Sequence, residues 1–185
     1  MGAGLAFPAM CPTIDPGAVL EMPKWSWMRL DATDLPMIWP LVSVGSEELS
    51  REDWHRTTAT WLELPEHGLV AIRVAQGPAL AAFLFVAEGP EGVAPCCFIV
   101  RLWVVEPGLP GRSLRACLAM ARDFARDSRY RGVLLERAAV DPRLEDAHVA
   151  HCAGCCGYVR CREGWYAPPA GSEEIVTLPR RRSER

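Results

Sequence analysis

Lysine is almost missing from this sequence: Lys24 is the only one, and arginine supplies the rest of the 20 basic residues. Against 23 acidic residues the net charge is −3, so no global basic surface argues for nucleic acid as a partner. No apolar run reaches the roughly 18 residues that a membrane-spanning helix needs. The N-terminus lacks a basic stretch and is broken by Pro8, Pro12 and Pro16, which excludes an ordinary signal peptide. Ala6 stands where a myristoylation signal wants Ser or Thr. No internal repeat is present. With 185 residues, half of them hydrophobic, the chain suits one domain with tails and a sizeable core. These absences point to a cytoplasmic protein that does not associate with membranes.

Cysteine is plentiful, with eight residues: Cys11, Cys96, Cys97, Cys117, Cys152, Cys155, Cys156 and Cys161. They fall in apolar helix and strand patterns, which favours reduced, buried thiols over a disulfide framework. Cys152-x-x-Cys155, with His148 and His151 nearby, has metal-ligand spacing. No second such pair exists, and one helix and its exit would have to wrap the ion. Packed helical cysteines are the simpler reading, and no metal is expected.

Taken in order, residues 1–24 are rich in Pro, Gly and Ala and read as a flexible arm. Trp25–Leu30 alternates as a first strand. Asp31–Asp34 has the flavour of a helix cap, and Leu35, Ile38, Trp39, Leu41 and Val42 share a helical face that Pro40 should end or kink. Ser50 opens a second helix in a sequence resembling a capping box, carried on by Trp54, Thr58, Trp61 and Leu62. Three strands with short antiparallel connections follow between residues 69 and 105. The tryptophans of these segments could line an acceptor pocket, but their spacing suits the core.

Cys96 to Leu135 organises the rest. An apolar strand leads into the turn EPGLPGRS, then an amphipathic helix whose stripe is Leu114, Leu118, Ala121, Phe124 and Ala125, then the strand Val133–Leu135. A helical crossover forces the two strands parallel. The turn opens onto a helix N-terminus, whose unpaired N–H groups and positive dipole end suit phosphate. A short helix near residues 145–156 and two strand-like pieces, 158–161 and 164–166, complete the domain. Residues 167–185 form a basic tail ending in PRRRSER, a cluster that is usually just solvated.

Over Trp25 to Tyr166 the order of elements resembles the GCN5-related N-acetyltransferase (GNAT) family. MRLDATDLPMIWPLV is similar to the family's first strand and helix, Val105–Leu114 to its acetyl-CoA pyrophosphate loop, and Ala153–Tyr158 to its late helix ending. The resemblance implies an α/β (α+β) fold: a mixed sheet, mostly antiparallel, with one central parallel pair joined by a crossover helix. It implies that Val104, Val105, Gly108, Pro110, Gly111, Arg112, Ser113 and Leu114 contact acetyl-CoA, as co-substrate. It also implies that an amine, from a small molecule or a protein, enters between the parallel strands. Glu106 or a bound water would be the base, and Tyr158 is a nearby hydroxyl for proton transfer. The loop departs from the family pattern: Pro110 replaces its first basic residue, and Ser113 and Arg115 replace two glycines. Ala153 stands where the family has a general-acid Tyr. Two functions follow as expectations, an acyl-CoA-dependent N-acyltransferase or a catalytically inactive GNAT-like module with a structural or interaction role. The acceptor is open, and so is the oligomeric state, a homodimer included.

Overall fold

In the computed structural model, residues 24–44, 50–75, 77–106, 111–140, 144 and 146–172 are described. The N-terminal arm up to residue 23, the basic tail from 173, and Gly108 and Pro110 of the expected cofactor loop lie outside them.

The first strand, β1 (Trp25–Leu30), runs into a 3₁₀ turn at Ala32–Asp34 and then α1 (Leu35–Ser43). The cap expected around Asp31 is a reciprocal box: Thr33 N–H donates to the Asp31 carboxylate at 2.7 Å, and Asp31 N–H to Asp34 at 3.1 Å. Of the two effects expected of Pro40, to end α1 or to kink it, the first does not occur: the helix continues through it to Ser43. The reason is burial. Leu35, Ile38, Leu41 and Val42 are all buried, at roughly 1.5–3 kcal/mol each, which outweighs the roughly 3 kcal/mol of an internal proline. Ser50 caps α2 (Arg51–Leu62) by accepting from Asp53 N–H at 3.0 Å.

The strands β2 (His67–Val74), β3 (Ala79–Glu88) and β4 (Cys96–Val104) pair antiparallel in sequence with β1. The crossover helix α3 (Arg112–Asp127) returns the chain to β5 (Val133–Glu136), parallel to β4. Then come α4 (Asp146–Cys155), a short β6 (Val159–Arg160) and β7 (Gly164–Ala167). The sheet order is β1-β2-β3-β4-β5-β7-β6, so the parallel pair is central, as the crossover demanded.

Each face of the sheet has its own helix layer. Phe83, Phe85, Cys97, Ile99 and Leu102 pack with Leu114, Leu118, Ala121 and Phe124 of α3 and Val149 and Cys152 of α4. On the other face Leu69, Ala71, Ala82 and Trp103 pack with Leu35, Ile38 and Leu41 of α1 and Trp54 of α2. Trp27, Trp39 and Trp54 belong to this packing: Trp27 meets Phe124 edge-on at 5.1 Å, and Trp39 lies 5.7 Å from Trp54. Trp61 is half-buried and stacks instead on His67 at 3.9 Å. Among the described residues, no helix is long and apolar enough to cross a membrane.

Candidate active site

Two irregularities of β4 shape the centre of the sheet. The first is a bulge. Leu84 of β3 pairs with Arg101 while Phe85 pairs with Ile99, so Val100 is the extra residue. A bulge bends its strand and reverses which side chains face which layer. Cys97 and Ile99 face α3 before it, and Leu102 does so after it. The second is a split. β5 pairs with β4 only over Cys97–Ile99 against Val133–Leu135, although β4 runs on to Val104. Past Ile99 the β5-facing edge of β4 has no strand beside it among the described residues. Val105 N–H donates back to Leu80 of β3 at 2.8 Å. Successive residues of a strand turn their amides to opposite edges, so Val104 presents its own to the gap.

The N-terminus of α3 lies just beyond β4. Gly111 is its N-cap, in a left-handed conformation with φ of 77°, and it supplies no side chain to the helix. That function passes to Glu106, whose carboxylate accepts from Ser113 N–H and from Leu114 N–H, both at 2.9 Å. Two of the orphan donors of the helix therefore hold an anion from the same chain, where the dipole favours one. This places three of the expected loop residues together, Glu106, Ser113 and Leu114, with Gly111 beside them and Arg112 exposed.

Behind this helix end lies α4. A Cβ on Gly111 would stand 2.9 Å from Cys152 Sγ and 2.9 Å from His148 Cε1, so only glycine lets α4 come this close. Cys152 Sγ sits 3.8 Å from His148 Nε2 and 3.9 Å from the Gly111 carbonyl. Burial raises the Cys152 thiol above its ordinary pKa, with Arg115 opposing the shift and Glu106 adding to it. Arg115, which stands where the family has glycine, is half-buried beside these groups. His151 pairs separately with the exposed Cys155 at 3.7 Å. The two His/Cys pairs thus have different surroundings, and no group of three His, Cys, Asp or Glu that could hold a metal exists among the described residues. All seven described cysteines are free thiols. Cys96, Cys97, Cys117 and Cys152 are buried as expected, whereas Cys155 is exposed.

Tyr158 is buried, and its hydroxyl donates to the Leu118 carbonyl of α3 at 3.0 Å. Burial pushes its pKa well above the ordinary tyrosine value. Arg122, on α3, is a strap. It donates to the Cys156 carbonyl at 2.7 Å and to the Pro168 carbonyl at 2.9 Å, closing the C-terminal end of α4. No local pattern could reveal partners 34 and 46 residues away.

This mixed α/β fold is similar to that of solved acetyltransferase structures. A ribosomal-protein-alanine N-acetyltransferase from Brucella melitensis biovar Abortus 2308 superposes with a TM-score of 0.51 at 14% identity, covering 84% of this chain and 100% of that one. The aminoglycoside acetyltransferase meta-AAC0020, from an uncultured soil metagenomic sample, gives 0.55 at 13% identity, covering 85% and 95%. The aminoglycoside N-acetyltransferase AAC(6')-Iy in complex with CoA gives 0.54 at 12% identity, covering 88% and 99%. The chain has the GNAT fold. No protein-family model matches the sequence, and no curated protein does. At these identities the likeness to the GNAT structures is one of fold.

Proposed function

We propose that the chain is an acyl-CoA-dependent N-acyltransferase acting on an amine in the cytoplasm, where its free thiols stay reduced. One observation carries this reading: β4 runs past the end of its pairing with β5 and delivers the chain to the α3 N-terminus, so an open strand edge and anion-holding amides adjoin. A thioester-bearing arm would pair with the edge near Val104 and Val105. The pyrophosphate would sit on the amides of Gly111 to Leu114, with Arg112 flanking it; Gly108 and Pro110 are proposed as further contacts on the family resemblance alone. The donors fit such a group, since Ser113 and Leu114 already hold an anionic carboxylate. Acetyl-CoA would supply an activated acyl group, and the protein would need only to position it and exclude competing geometry. Related support is that AAC(6')-Iy, of the same fold, was solved with CoA.

Within this reading Glu106 caps the helix until the cofactor displaces it, and the amine's proton leaves through water. Tyr158 keeps the α3–α4 packing, since its hydroxyl is spent on Leu118.

The same carboxylate favours a second reading. An internal anion on the α3 amides is what a module that has lost its cofactor would carry. Calorimetry with acetyl-CoA tests the choice. The enzyme reading expects saturable binding that tightens in Glu106→Ala. No binding at millimolar ligand to either protein leaves the non-catalytic module.

A further inference from the structure

The exposed side chain in the middle of the sheet is Arg101. It sits on β4, with three strands on either side in the sheet order. Central strands are normally buried on both faces. One cross-strand row explains the exception. Leu30 pairs with Leu69, Leu69 with Leu84, and Leu84 with Arg101. Along that row Leu30 and Leu69 are buried beneath α1 and α2, Leu84 is half-buried, and Arg101 is exposed. The helix layer therefore ends at Arg101. Beyond it the same face carries Phe98, Leu134 and Tyr166, a separate buried cluster. Arg101 stands between the two, one residue past the Val100 bulge and next to the point where β5 leaves β4.

Its direction follows from alternation. Leu102 faces α3, and Trp103 packs in the α1/α2 layer, so Arg101 shares the face of Trp103. Among the described residues its guanidinium has no hydrogen bond and no ion pair. The carboxylate nearest the end of β4, Glu106, is already held by the α3 amides.

We infer that the acceptor is an amine that carries its own carboxylate, held by Arg101 at the lip of the split. This rests on the acyl-transfer reading above. A guanidinium offers a planar fork that matches a carboxylate with two parallel hydrogen bonds. It also repels an ammonium, which favours the neutral amine that must attack. The step balances without further reagents. The amine nitrogen bonds to the acyl carbon, the C–S bond breaks, the sulfur leaves as CoA thiolate, and the amine's proton passes to water and thence to the thiolate. A polycationic acceptor would meet an uncompensated positive charge instead.

The test measures CoA thiol release from acetyl-CoA with pooled L-α-amino acids, β-alanine and 4-aminobutyrate, beside the same compounds as amides, and with spermidine. Acetyl-CoA binding is followed separately by calorimetry. The acids should exceed their amides by at least about tenfold in kcat/KM, Arg101→Ala should erase that ratio, and Arg101→Lys should restore part of it. Arg101→Glu should turn the preference toward spermidine. If acetyl-CoA binds but amides or spermidine react as well as the acids, or no acid reacts, the carboxylate inference is overturned while the cofactor reading stands. If acetyl-CoA does not bind, the acyl-transfer reading falls and takes this one with it. An Arg101→Ala protein that keeps the acid preference also overturns it.

Discussion

Glu106 reaches from the end of β4 to the first turn of α3 and takes the Ser113 N–H at 2.9 Å. The neighbouring Leu114 N–H closes on the other carboxylate oxygen at the same distance. One side chain thus does what an N-cap residue would do, at the amides proposed to hold the cofactor's pyrophosphate. Any phosphate that binds these amides must first displace Glu106. Affinity there is a difference between two anions, not the strength of one.

Glu106→Ala should therefore move two quantities in opposite directions. Losing a charged cap costs about 1–2 kcal/mol of stability, read as a lower urea midpoint with an unchanged slope. Acetyl-CoA should bind more tightly, because its competitor is gone. Glu106→Gln should fall between, keeping an acceptor without the charge. Unchanged stability in Glu106→Ala would show that the carboxylate does not cap α3 in solution.

Gly111→Ala tests the contact behind the helix end. The position has φ of 77°, costly for a residue with a side chain, and the new methyl would press on Cys152 and His148. Strain of that backbone kind costs about 1–3 kcal/mol. Pairing the change with Cys152→Ala removes one obstacle, so the double variant should recover part of the loss, by urea unfolding. Equal loss in single and double variants would mean that the backbone alone forbids alanine.

Much of the fold could be read from residue patterns, because burial writes itself into them. The stripe Leu114, Leu118, Ala121, Phe124 and Ala125 is buried as its spacing required, and the crossover made β4 and β5 parallel. Pro40 does not end α1 because intrinsic propensity is weaker than four buried side chains. The site was less legible. Glu106 was readable as a carboxylate near the loop, but its hold on Ser113 and Leu114 depends on how the chain folds back. Arg101 had no signal at all in an otherwise apolar strand. Its exposure depends on the Val100 bulge and on where α1 and α2 stop, which are properties of pairing and packing across distant segments.

Tyr158→Phe should separate packing from chemistry. The hydroxyl is buried and its acceptor is a helix carbonyl 40 residues away. Removing it leaves the Leu118 carbonyl without that donor and costs about 1–2 kcal/mol, seen in urea unfolding. The turnover of any acceptor found for the chain should stay within about twofold of the parent, well short of the 10²–10⁴-fold that a general acid contributes. A fall of that larger size in kcat, at unchanged stability, would restore Tyr158 to the chemistry.

The buried thiols set an alkaline limit to the fold. Burial pushes Cys96 up to about 12 from an ordinary 9.0, and it raises Cys97 and Cys117 as well. A group whose folded pKa is raised binds its proton more tightly in the native state. Its stabilisation is complete below the unfolded value, near 9, and is lost as pH climbs from there through the folded value. Each such thiol should remove about 1.4 kcal/mol of stability per pH unit within that window. Under reducing conditions the unfolding free energy should be level in these terms up to about pH 9 and then fall steeply. Cys117→Ala takes one titrating group out, so its curve should fall less steeply by about 1.4 kcal/mol per pH unit above pH 9, whatever the cavity costs at neutral pH. Parallel curves for parent and variant between pH 9 and 10.5 would show that Cys117 ionises as freely in the folded chain as in the unfolded one.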